Sequence, residues 1–157
     1  MLTKIFGAIW RHLPGVLRRR MVRLGQRRFT VTAGAFVFDD DSRILLLEHV
    51  FRPDSGWGIP GGFLGKGEQP EAALRRELRE EVALEVADVE FLFARTLPRP
   101  RQVEIYFLCK PASAASPSSF EIIKAEWFTM DALPSELSKD QLTLIKHALS
   151  VREKSAR

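Results

Sequence analysis

Glu77, Glu80 and Glu81 stand three and four residues apart in the run ELREE, behind the glycine-rich and then helix-forming stretch GGFLGKGEQPEAALRR. At 100° per residue, the three carboxylates share roughly a 100° arc of one helix. Like charges at that spacing cost helix stability, so the arc requires a compensating cation. Arg75, Arg76 and Arg79 are one source of it. A bound hard cation is another: Mg²⁺ suits carboxylate oxygens and sits most readily beside substrate phosphates. The glycines at 61 and 62 would let the backbone approach a metal or a phosphate closely. An ordinary surface helix laced by ion pairs is the competing reading, and helix composition alone favours it.

The spacing of the whole stretch tips the balance. Gly62 is followed after five residues by Glu68, after seven more by Arg76-Glu77, then by Leu78, Glu80-Glu81 and Leu84. This pattern resembles the box of the Nudix hydrolases over residues 62–84, and the likeness extends across about residues 30–150. One position departs from the family pattern: Ala83 stands where glycine is usual. Glycine there serves a left-handed helix cap, so this helix is expected to end differently, with its ligands intact.

The resemblance implies an α/β fold, an α/β/α sandwich around a mixed, partly closed sheet. It also implies hydrolysis of a phosphoanhydride bond in a nucleoside diphosphate linked to another moiety, such as ADP-ribose or a nucleotide sugar. The alternatives are a nucleoside triphosphate, the 5′ end of an RNA, or a noncatalytic nucleotide-sensing or membrane-associated module. Mg²⁺ or Mn²⁺ would be the cofactor. By position in the box, Glu77, Glu80 and Glu81 would hold the metal, with the Gly62 carbonyl as an extra ligand and Glu68 as a supporting one. Arg76 would pair with a box glutamate and orient it. Glu121 lies six residues before Trp127, a relation found in some family members, and is the candidate fourth ligand or general base. Glu126 and Glu104 are its rivals. Phe51 or Trp57 could stack on a base, Arg52 could pair with phosphate, and Arg101 lies on a strand end within reach of substrate. His49 and His147 have no metal-like spacing and are left out of the site.

At 157 residues the chain is long enough for one domain with a real core. Its single cysteine, Cys109, excludes an internal disulfide framework and suits a reducing, cytoplasmic location. Residues 1–30 hold eight Lys or Arg and no acid, whereas residues 31–157 hold 16 basic and 20 acidic residues, a net of −4. The net positive charge therefore belongs to an N-terminal arm, and the acidic body gives no reason to expect duplex DNA. Residues 1–28 read as two short amphipathic helices interrupted at Pro14-Gly15. Their apolar side would pack on the domain or on a second copy in a homodimer, or the arm would touch an anionic membrane surface or RNA. No run is apolar enough to span a membrane.

Residues 29–152 form the expected domain. Strands are expected at 29–38 and 43–48, joined as a hairpin by an Asp-rich turn, and near 57–59. A bend follows at 60–62, then a helix from Pro70 with Ala72, Ala73, Leu74 and Leu78 as its core stripe. Further strands are expected at 89–97, 102–110 and 122–130, and a last helix at 138–151 with Leu142, Ile145, Ala148 and Leu149 on one side. Residues 153–157 are expected to fray.

Overall fold

The structure, a computed structural model, describes residues 10–52 and 56–155. The helices are α1 (Gly15–Gly25), α2 (Pro70–Val82) and α3 (Lys139–Ser155). The strands are β1 (Thr30–Val37), β2 (Ile44–His49), β3 (Trp57–Gly58), β4 (Gly61–Phe63), β5 (Val86–Leu97), β6 (Gln102–Pro111) and β7 (Ile122–Phe128). They form a four-stranded mixed sheet in the order β4-β1-β6-β5 and a three-stranded sheet in the order β3-β2-β7. β1 runs parallel to β6, and every other pairing is antiparallel.

The layering follows from residues that are apolar on both faces of a strand. Residues 44–47 of β2 are all 0% exposed. Because side chains alternate along a strand, Leu45 and Leu47 go one way, to Ala33, Ala35, Val37 and the α2 residues Ala73, Leu74, Leu78 and Val82. Ile44 and Leu46 go the other way, to Phe36, Phe38, Tyr106 and the α3 residues Leu144, Ile145 and Ala148. The strands are thus sandwiched between α2 and α3, the α/β/α arrangement that the resemblance implied. On α3 the buried stripe is Leu144, Ile145 and Ala148, whereas Leu142, expected in that stripe, is only partly buried.

Four local expectations are corrected. First, β1 and β2 do not make a hairpin; a single bridge, Phe38 to Ile44, joins them before they enter different sheets. Asp39 closes the corner, its Oδ1 accepting from the Arg43 N–H at 2.8 Å and its Oδ2 from Arg43 Nε at 2.8 Å. Second, the glycines expected to bend at 60–62 lie in β4, antiparallel to β1. Gly61 has φ 143°, and a Cβ there would strike the Ala33 carbonyl oxygen, so glycine is what lets the two strands approach.

Third, α2 ends in a left-handed cap even without glycine. Ala83 has φ 52° and ψ 27°, its N–H donates to Arg79 O, and the Leu84 N–H donates to Leu78 O. Fully buried Leu84 anchors the chain just beyond and holds alanine in a conformation that costs it roughly 1–2 kcal/mol. Ala83→Gly is therefore expected to stabilise the fold by about 1 kcal/mol, part of the gain being offset by a freer unfolded chain. A higher urea midpoint at unchanged slope would show it, and a lower midpoint would contradict the cap.

Fourth, α3 continues through Ser155, so residues 153–155 are helical rather than frayed. Its start is well defined: Ser138 Oγ accepts from the Gln141 N–H at 3.2 Å, and Arg95 joins its first turn by pairing with Asp140.

In the arm, Pro14 starts α1 by accepting from the Leu17 and Arg18 N–H groups, as the interruption implied. No residue of α1 is buried. The earlier helical segment, expected across residues 2–13, lies mostly outside the described residues; 10–12 are helical. No described helix is long and apolar enough to cross a membrane.

Candidate active site on the carboxylate face of α2

β4 leads into the loop that opens α2. Gly65 donates its N–H to Glu68 Oε2 at 2.7 Å, which folds the loop back on itself. Pro70 occupies the first helical turn. The helix then presents Arg76 as the hub of the acidic face. Arg76 donates through Nε to Glu68 Oε1 at 3.0 Å and through Nη2 to Glu68 Oε2 at 3.0 Å, a two-pronged grip. Its Nη1 reaches Glu77 Oε1 at 2.9 Å and Glu80 Oε2 at 3.2 Å, and Nη2 also reaches the Phe63 carbonyl at 3.1 Å. The bonds from Arg76 and from the Gly65 N–H hold the Glu68 carboxyl below its usual value. The cation required by the acidic arc is therefore present in part, and Arg76 pairs with a box glutamate as expected.

Glu81 lies beyond that grip. Its side chain is 13% exposed. Its Oε2 accepts from the Gly61 N–H at 3.2 Å, so β4 positions it directly. Burial pushes its carboxyl up to about 7 against the opposing pull of the Gly61 N–H, and the charges of Glu77 and Glu121 push the same way as burial. Gly62 supplies the other contact with β4: a Cβ there would fall on the Glu77 carboxylate. Gly62→Ala is expected to displace Glu77 and lower turnover at least tenfold, the scale on which disturbed positioning acts. Steady-state kinetics beside an unchanged far-UV spectrum would test it; full activity would show that Glu77 can move freely.

His49 and Arg52 complete this end. His49 Nδ1 lies 4.0 Å from Glu81 Oε1. Burial, and then the Arg52 charge, pushes His49 down to about 4, so the contact joins a carboxyl to a neutral imidazole. Its Nε2 has no hydrogen-bond partner among the described residues. The Arg52 guanidinium lies over Gly58, where a Cβ would leave it no room. Burial lowers the pKa of Arg52 and the Glu81 charge raises it, and its Nη1 is buried without a hydrogen-bond partner among the described residues.

Arg52, Gly61 and Gly62 also border a cavity of about 220 Å³, walled by Gln102, Glu104, Tyr106 and Gln141. Glu104 is held by Arg95 Nε, by Tyr106 Oη at 2.8 Å and by Gln102 Nε2 at 3.1 Å. Gln141 accepts from the Ile59 N–H at 3.3 Å. Glu104 does face a cleft, but as a triply bonded wall residue.

The remaining candidates divide. Glu121 is exposed, in the turn before β7, and its charge acts on Glu81. Glu126 is exposed on β7. Trp57 packs edge to face on Phe128 at 5.2 Å, beside the α3 cluster, rather than lining the cavity. Arg101 is exposed at φ 66° in the β5–β6 turn, where its carbonyl accepts from the Thr30 N–H, and it does not line the cavity. Phe51 is likewise outside the cavity, and exposed. His147 stays out of the site, packed on Phe93 at 4.9 Å. Sequence reasoning missed His49, Gln102, Tyr106 and Gln141. Metal-ligand spacing assigns His49 nothing, whereas a largely buried position at a strand end beside Arg52 is what places it.

Among the described residues, no three His, Cys, Asp or Glu side chains converge at metal-ligating distances. The donor chemistry nevertheless fits a hard divalent cation. Glu81 is a desolvated carboxylate crowded by two others, and their surplus negative charge is what such a cation neutralises.

The fold and this site together define an α/β/α domain with a carboxylate helix entered from a glycine-bearing edge strand. A NUDIX domain profile matches residues 28–148, and the chain belongs to the Nudix family. It is 35% identical over 104 residues to the NAD-capped RNA hydrolase NudC of Mycobacterium tuberculosis, covering 65% of this chain and 33% of that protein. It is 39% identical over 74 residues to the NAD-capped RNA hydrolase NudC of Pseudomonas aeruginosa, covering 46% and 27%. The chain thus spans about a third or less of the length of these curated relatives. Among solved structures, a NUDIX hydrolase from Nitrosomonas europaea superposes with TM-score 0.72 at 22% identity, covering 82% of this chain and 74% of that one. The NUDIX domain of Shewanella oneidensis NrtR, complexed with ADP ribose, gives TM-score 0.68 at 24% identity, covering 81% and 90%. At these identities the structural likeness is one of fold.

Proposed function

We propose that this domain hydrolyses a phosphoanhydride bond in a nucleoside diphosphate linked to another moiety. The observation that carries the reading is Glu81, its side chain 13% exposed, held within an acidic helix face by Gly61 of β4, which lines a cavity that Arg52 also borders with an Nη1 unpaired among the described residues. A water oxygen bonds to phosphorus, the bridging P–O bond breaks, and two phosphate-bearing products leave. Arg52 binds the anionic phosphates, its guanidinium N–H groups donating to them. Glu81, the helix carboxylate that Gly61 of β4 holds beside the cavity wall, takes a proton from the water. Gln102, Glu104 and Gln141 contact the nucleoside.

Glu77, Glu80, Glu81, Glu121 and the Gly62 carbonyl would hold Mg²⁺ or Mn²⁺. Bound there, such an ion would supply screening of the phosphate oxygens and a lower pKa for water. Glu68 positions Arg76 instead, because both its oxygens are already taken. A panel of ADP-ribose, NAD, nucleotide sugars and nucleoside triphosphates, with products identified by mass, tests the class. Cleavage between the two phosphorus atoms of ADP-ribose or NAD is expected. Exclusive release of pyrophosphate from triphosphates would overturn it.

A second reading has its own support: the relatives named above are called NAD-capped RNA hydrolases, and α1 exposes Arg19, Arg20 and Arg23. The NAD end of such an RNA is itself a nucleoside diphosphate linked to a second nucleoside, so the chemistry is shared and the arm would hold the polymer. Deleting residues 2–28 is then expected to weaken binding of a capped RNA and to flatten its salt dependence by about 0.7 log units per lost phosphate contact, with free NAD unaffected. Equal salt slopes with and without the arm would exclude that role.

A further inference from the structure

Phe51 and Phe120 have no part in the site described so far. They are 70% and 82% exposed, and their rings meet edge to face with centroids 6.4 Å apart. Val50, next to Phe51, and Ile123, three residues after Phe120, are exposed as well. The two segments are joined where the Val50 N–H donates to the Glu121 carbonyl at 2.9 Å. Neither phenylalanine belongs to a core cluster, so packing of the fold does not account for the pair.

Its place does account for it. Phe120 adjoins Glu121, whose charge acts on Glu81. Phe51 lies between His49, which faces Glu81, and Arg52, which borders the cavity. Ser118 fastens this loop to the C-terminal end of α2, its N–H donating to Glu81 O at 2.9 Å and its Oγ to Glu80 O at 2.7 Å. The loop that carries Phe120 is thus tied to the end of the carboxylate helix, and Arg52, next to Phe51, borders the cavity beside Gly61 and Gly62, which hold Glu81 and confine Glu77. A cavity of about 220 Å³ is smaller than the pockets of roughly 300–1,000 Å³ that enclose a drug-sized ligand. A ligand with a base at each end of a pyrophosphate cannot be housed there whole.

We propose that Phe51 and Phe120 are the stacking platform for the second planar ring of a dinucleotide-type substrate. One ring enters the cavity, the pyrophosphate crosses the carboxylate face under Arg52, and the other ring lies on the phenylalanines. This rests on the phosphoanhydride reading above and adds to it a preference for substrates with two rings. An aromatic face is a sequence-tolerant support for any base.

The test compares kcat/KM for NAD and diadenosine diphosphate, which carry two rings, with that for ADP-ribose, which carries one. In Phe51→Ala and Phe120→Ala the two-ring to one-ring ratio is expected to fall about tenfold, through KM, the scale of one base–aromatic stack. Phe51→Tyr, which restores a planar ring, is expected to keep the ratio. A ratio unchanged within twofold in both alanine variants, with ADP-ribose still cleaved, overturns the platform and leaves the function intact. A wild-type protein that cleaves none of the three overturns the functional reading and the platform with it.

Discussion

Glu81→Gln is expected to lower turnover about 10³-fold, within the 10²–10⁴ contributed by a positioned acid–base group. The reasoning is local. The carboxylate is desolvated, sits nearest the face shared by Gly61, His49 and Arg52, and carries a pKa pushed up to about 7 by burial. Glutamine keeps the oxygen that accepts from the Gly61 N–H and fills the same volume, so the fold has nothing to lose. Removing a charge from a buried place leaves the melting temperature equal or higher. The check is paired: single-turnover rates beside a thermal melt. A variant that retains more than a tenth of the rate would remove Glu81 from the chemistry, and one that melts early would make its role structural.

Arg76→Ala is expected to have the second largest effect, and it acts on stability as well as rate. Arg76 joins Glu68, Glu77, Glu80 and the Phe63 carbonyl through one planar group. Without it, three carboxylates face one another across the α2 entry loop. Hydrogen bonds to charged groups contribute roughly 1.5–3 kcal/mol, and partial exposure of this network puts the loss at about 2 kcal/mol. Turnover is expected to fall about 10- to 100-fold as Glu77 and Glu80 lose their orientation. Arg76→Lys keeps the charge but not the fork, so it should recover only part of either loss. Denaturant midpoints and kcat for the three proteins decide. A lysine variant indistinguishable from wild type would mean that charge alone, not geometry, organises the face.

Much of this arrangement was legible in the sequence, and the parts that were not share a cause. The periodicity of Glu77, Glu80 and Glu81, and the distance back to Gly62, place the acidic face correctly, because helical geometry converts spacing into position. The buried run at 44–47 and the alternation along β6 fix the layers for the same reason. What spacing does not encode is which elements become neighbours. The hairpin expected at Asp39–Arg43 became a corner between sheets, because β2 is apolar on both faces and is needed in the middle of the sandwich. His49 on β2, Gln102 and Tyr106 on β6 and Gln141 on α3 meet the site only through the packing of those separate elements. At Ala83, residue preference pointed away from a left-handed cap, yet burial of Leu84 outweighed a local cost of roughly 1–2 kcal/mol. Arg101 had the right charge on a strand end, but its place in the β5–β6 turn keeps it outside the cavity.

The most direct measurement is hydrolysis of ADP-ribose in H₂¹⁸O by the whole chain with Mg²⁺, products weighed, and Glu81→Gln run alongside. The account requires one ¹⁸O on a single phosphate of AMP or of ribose 5-phosphate, at a rate the variant lowers about 10³-fold. Label on a sugar carbon, or equal rates in the two proteins, would contradict attack at phosphorus directed by the α2 carboxylates.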